Sequence, residues 1–96
     1  MDANGQWQES EVTIQNRLGL HARPAMIFVE TAMKFQADIT VRRVDQSECV
    51  DGKSIMQMMM LAATQGTELE ITARNADCRE AISELVALIK GKFQEE

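Results

Sequence analysis

Residues 11–15, 37–42 and 68–73 alternate apolar and polar side chains, the two-residue period of a strand with one buried face. A shorter segment, 48–51, follows the polar turn Asp45-Gln46-Ser47 closely enough to pair back on the second strand as a hairpin. Elsewhere the spacing becomes helical. Ala25, Phe28, Val29, Ala32 and Met33 fall at i, i+3, i+4, i+7 and i+8, and Ile82, Leu85, Val86 and Ile89 repeat the pattern. A middle helix is expected to open at Ser54, with Gln57 reaching back over its first turn and Gly66 supplying the stop. The last helix has Asp77 and Glu80 as a capping-box pair and ends near Gly91. The order is βαββαβα. Thr13, Gln15, Asp38, Thr40, Arg42, Glu68, Glu70 and Thr72 give the sheet one polar face, so the helices need cover only the other. This predicts an α+β open-faced sandwich, a four-stranded antiparallel sheet with three helices on one face. Residues 1–9, polar apart from Trp7, read as a flexible N-terminal arm before a domain spanning 10–96.

A chain of 96 residues with 45% hydrophobic and 26% charged content and a single proline is expected to form one compact globule. The net charge of −5, with cations scattered along the chain, argues against a nucleic-acid partner. The longest apolar stretch, 55–63, is interrupted by Gln57 and falls far short of the ~20 residues of a membrane span. The N-terminus has no basic region followed by an apolar one, so a cytoplasmic location is expected. Cys49 and Cys78 lack metal-type spacing and are read as reduced, structural thiols.

The single histidine, His21, stands where the first helix begins, after Gly19 and before Pro24. A ring there lies beside the unpaired N–H groups and positive dipole end of the helix, an arrangement that binds phosphate. Arg23 adds a guanidinium fork that matches phosphate oxygens, and imidazole titrates near neutrality, so a nucleophilic nitrogen is available at cell pH. Spacing alone leaves a plain alternative: a polar loop residue or cap at position 21 and a solvated cation at position 23.

The string Gly19-Leu20-His21-Ala22-Arg23-Pro24-Ala25 after a first strand, with Lys53-Ser54-Ile55-Met56 opening the middle helix, resembles the HPr family. These are the small histidine phosphocarriers of the bacterial phosphoenolpyruvate-dependent phosphotransferase system. The resemblance covers about residues 10–94. It implies that enzyme I phosphorylates His21 at Nδ1, that Arg23 and the Ala22 and Arg23 amides steady the phosphate, and that an enzyme IIA domain accepts it. The protein is then a monomeric carrier with no cofactor and no metal, not an enzyme in its own right. Ser54 resembles the serine that an HPr kinase/phosphorylase modifies in part of the family, although Gln57 replaces the Gly that many members carry there.

The middle helix is too apolar for one stripe. The family's pattern turns Met58 and Leu61 inward, leaving Ile55, Met56 and Met59, joined by Met26 and Ile27, as a docking patch near His21. Core filling is the competing reading of such methionines. The ending, 87–96, resembles the nitrogen-related branch, whose members control other proteins, whereas Lys53-Ser54-Ile55 resembles the serine-regulated branch, and the two signals conflict. A binding module without phosphorylation is disfavoured because His21 and Arg23 are both present.

Overall fold

A computed structural model describes residues 6–94. Along the chain lie β1 (Trp7–Thr13), α1 (Ala22–Ala32), β2 (Asp38–Arg43), β3 (Cys49–Asp51), α2 (Ile55–Met60), β4 (Glu68–Arg74) and α3 (Cys78–Lys90). A short turn, Lys92–Gln94, follows α3. The strands form one antiparallel sheet in the order β1-β4-β2-β3. Its inner face, with Val12, Ile39, Val41, Leu69, Ile71 and Ala73, is buried together with Phe28 and Val29 of α1, Met58 of α2 and Leu85 and Ile89 of α3. The expected α+β open-faced sandwich is thus observed. On the polar face, the β2–β4 register sets Arg42 opposite Glu70, and their side chains pair at 3.1 Å. Such a half-exposed cross-strand pair contributes up to about 1 kcal/mol and fixes the register.

Several local expectations change. β1 begins at Trp7 instead of 11, pairing Trp7 with Arg74 and Gln8 with Ala73, so residues 7–9 of the expected arm are part of the sheet. Residues 1–5 lie outside the described residues. Ladder bonds join backbone to backbone, so a polar segment can pair as readily as an apolar one. Met33, expected on the inner stripe of α1, is its exposed C-cap. The middle helix stops at Met60, well before Gly66, because Ala62 turns left-handed at φ 50°. Arg43 Nη1 donates to the carbonyls of Leu61 and Ala62 at 3.0 and 3.1 Å, satisfying acceptors that a longer helix would have used. Gly66, at φ 91°, instead turns the chain into β4.

Three side chains act farther from home than sequence spacing implied. Gln57 reaches past its own helix, its Oε1 accepting from the Asp51 amide at 2.8 Å. Phe93 is buried in the core although Lys92, Phe93 and Gln94 all take positive φ. Left-handed backbone costs free energy at each of the three residues, and burial of Phe93 offsets part of it. Asp77 stands at the N-cap of α3 but makes no capping bond. Its carboxylate accepts from the amides of Ala37 and Gln36, joining α3 to the start of β2.

Partial desolvation pushes the Asp77 carboxyl up, but the amides of Ala37 and Gln36, its own amide and the Lys53 charge together hold it below the ordinary value of 3.8. A lowered carboxyl contributes stability above its unfolded pKa and loses it as pH falls through the folded one. Asp77→Ala is therefore expected to lower Tm at pH 7, with the gap to wild type narrowing as pH is taken below about 4. Thermal melts across that range check it, and a gap independent of pH would contradict the charge-assisted tie.

Candidate functional site

His21 is the N-cap of α1, with extended backbone (φ −85°, ψ −168°) and no capping bond from its side chain. The loop before it is fastened at each step. Asn16, fully buried, donates from Nδ2 to the Gly19 carbonyl at 2.7 Å. Leu20 N donates to the Ala63 carbonyl at 2.8 Å, and His21 N to the Gly19 carbonyl at 3.0 Å. Gly19 is required here because its φ is +73° and a Cβ would stand 2.5 Å from the Ala63 oxygen. The imidazole is thus half-buried at the start of a helix whose position is set by the α2–β4 connection.

The helix end offers fewer donors than a generic N-terminus. Pro24 occupies the third helical position and has no N–H, and Ala25 N already donates to the His21 carbonyl. Helix geometry leaves the amides of Ala22 and Arg23, the two positions expected, without an i−4 partner in α1. Both residues are exposed. Arg23 also lines a groove of about 670 Å³ with Arg17, Leu18, Gln65 and Lys92. Among the described residues, three cations and no carboxylate border that groove, in a chain of net charge −5. A cation-lined opening that includes Arg23, two residues past His21 in sequence, can draw in and steady an anion such as phosphate.

α1 and α2 run antiparallel. Leu20 ties the start of α1 to Ala63, just after α2, while Lys53 Nζ donates at 2.8 Å to the Phe35 carbonyl just beyond α1. Ser54 and Ile55 therefore lie at the end of α2 remote from His21, and Met60 lies at the near end. Ser54 caps α2 as expected, its Oγ accepting from Gln57 N at 3.2 Å. Met58 and Leu61 are buried, whereas Met26, Ile55, Met56 and Met59 are exposed. Ile27 does not join them: it is half-buried and lines a groove between α1 and α3 with Thr31, Lys34 and Leu88. Met60, 76% exposed, also faces outward from α2, a position that the patch expected from the sequence did not include. The signal was present, since residues two apart on a helix differ by about 200°, so an inward Met58 turns both Met56 and Met60 outward.

A family model described as the PTS HPr component phosphorylation site matches residues 8–91. The chain is 48% identical over 85 residues to phosphocarrier protein HPr of Pseudomonas aeruginosa, covering 88% of this chain and 93% of that one. It is 38% identical over 89 residues to phosphocarrier protein NPr of Proteus mirabilis, covering 93% and 98%. The crystal structure of HPr from Thermoanaerobacter tengcongensis superposes with a TM-score of 0.86 at 45% identity, covering 93% and 98%.

The seat of the loop can be tested without any ligand. Gly19→Ala would carry a side chain at φ +73° and set its Cβ against backbone atoms of Ala63 and Thr64, which cannot swing away. We expect a loss of about 2–4 kcal/mol. Urea unfolding should show the midpoint falling with the m-value unchanged.

Proposed function

The chain belongs to the HPr family of phosphotransferase-system phosphocarriers, and on that premise we propose that His21 is its phosphoryl acceptor, loaded by enzyme I from phosphoenolpyruvate and unloaded to an enzyme IIA domain. The observation that supports the reading is His21 at the N-cap of α1, followed directly by the helix-start amides of Ala22 and Arg23 and by the Arg23 cation. The imidazole Nδ1 lone pair forms the nitrogen–phosphorus bond as the donor's bond to phosphorus breaks. The next acceptor reverses the step. A helix end contributes only about 0.3–1 kcal/mol toward holding the phosphate, and a shallow site suits a carrier that must release its load.

The exposed residues of α2 and Met26 support a docking role by position. Transfer requires the donor phosphorus to reach His21, and a standard interface covers about 800 Å² per partner, a patch extending roughly 16 Å from its centre. At 1.5 Å per residue, α2 is about 9 Å long, so a donor centred on His21 also covers Met60, Met59 and Met56. The cationic groove beside Arg23 favours a partner surface of negative charge.

Ser54 is half-buried at the cap of α2, and a phosphate on it would meet a helix N-terminus without unfolding the helix. Its dianion would oppose an acidic donor surface. The Gln57 amide oxygen, engaged by Asp51 N, stands beside it and bears on recognition by a serine kinase. A second reading, a carrier of the nitrogen-related branch that controls other proteins, is supported by the likeness to the Proteus mirabilis NPr. In either branch the carrier acts as a cytoplasmic monomer.

Incubation with enzyme I and phosphoenolpyruvate should add one phosphate by intact mass, and brief acid should remove it. His21→Ala should take none. A phosphate on the variant, or an acid-stable one on wild type, would place the acceptor elsewhere. Met56→Glu should weaken enzyme I binding roughly tenfold or more while changing stability by less than about 1 kcal/mol, because Met56 is 80% exposed. Calorimetric titration with enzyme I and a thermal melt separate the two quantities.

A further inference from the structure

Methionine is ordinarily among the more buried side chains, yet here the distribution is inverted. Of the seven methionines in the sequence Met1 lies outside the described residues, and of the rest only Met58 is buried. Met56 and Met60 are 80% and 76% exposed, and they sit on one six-residue helix whose end is fastened beside the His21 loop. An exposed thioether reacts with peroxide without any unfolding. The sulfur lone pair takes one oxygen, the peroxide O–O bond breaks, sulfur is oxidised by two electrons, and the peroxide leaves as water. The product is a polar sulfoxide where an apolar side chain stood.

We propose that Met56 and Met60 are oxidation-sensitive modification sites, through which peroxide-class oxidants reversibly weaken docking of the phosphoryl donor while leaving the fold and His21 intact. The inference rests on the carrier reading above. A sulfoxide at either position must be dehydrated when a partner covers it, and the apolar gain of burial is lost. Nothing in the fold requires either side chain to stay apolar. Met58, midway between them in sequence and buried in the core, is a built-in control: it is shielded in the native chain and reacts only on unfolding.

The test uses the full chain carrying Cys49→Ser, because Cys49 is exposed and would also be oxidised. The protein is treated with hydrogen peroxide, peptide masses locate added oxygen, and phosphoryl uptake is timed from two donors. One is enzyme I with phosphoenolpyruvate, which must dock; the other is a small phosphoramidate, which need not. Oxygen is expected on Met56 and Met60 well before Met58. The enzyme I rate should fall about tenfold at limiting enzyme, equivalent to 1.4 kcal/mol, with the phosphoramidate rate unchanged. Methionine sulfoxide reductases should restore it. Met56→Leu with Met60→Leu, whatever its rate before treatment, should lose much less of it on oxidation, the remainder being set by the less exposed Met26 and Met59. An enzyme I rate indifferent to sulfoxide at these positions, or one that falls equally in the leucine variant, overturns the proposal. So does equal loss with both donors. If the untreated chain accepts from neither donor, the carrier reading falls and this one with it.

Discussion

One backbone contact organises the functional end of the molecule: the Leu20 amide donating to the Ala63 carbonyl, with Gly19 pressed against the same carbonyl. The segment 16–21 has no regular structure of its own, and its polar groups would otherwise need water. By seating it on the α2–β4 connection, the fold sets where α1 begins, and hence where His21 stands. The same contact brings the end of α2 alongside. A single seam thus joins the start of α1, which carries His21, to the end of α2, which carries Met60.

That seam in turn depends on cations placed at carbonyl ends. Arg43 reaches from β2 to the carbonyls of Leu61 and Ala62, holding the connection that Leu20 uses. Its guanidinium also pairs with Asp45, a hydrogen bond that keeps the Asp45 carboxyl below its usual range. Lys53 does the corresponding work at the other end, on Phe35. Both act where helix dipoles and unpaired carbonyls favour positive charge. The sheet thus positions the helices partly through side chains that grip backbone, which keeps the seam independent of which residues face solvent along α2.

The fold was legible from periodicity because strand and helix stripes were regular. The inward faces of 37–42 and 68–73 are those observed, as are Ala25, Phe28, Val29 and Ala32 of α1. What periodicity could not carry was long-range pairing. Trp7 joins β1 through ladder bonds that leave no mark in side-chain pattern, and the Asp77 carboxylate turns from its own helix to amides forty residues away in sequence. A spacing rule assigns such an aspartate to a cap because it sees only neighbours. Likewise Phe93 lies beyond the last periodic residue and reaches the core only through a left-handed turn. At the candidate site, His21, Ala22 and Arg23 were readable as a helix start, and Ser54 as a cap. Met60 and the separation of Ile27 from the methionines required the packing direction of two helices, which a single stripe does not state.

The brevity of α2 explains why a surface this apolar is compatible with a stable fold. Six residues are too few for an autonomous helix, and only Met58, with Leu61 at the C-cap, anchors it in the core. Its order comes instead from its ends: the Ser54 cap, Gln57 reaching to Asp51, and Arg43 on the final carbonyls. An element held by its termini places few demands on its middle. The outward positions are then free to carry side chains chosen for contact with other molecules, and methionine, unbranched and polarizable, adapts to more than one of them. A carrier must meet a donor and an acceptor through the same face, so adaptability at that face matters more than affinity for either. On the docking reading proposed above, rigidity lies in the backbone clamps and compliance in the thioethers.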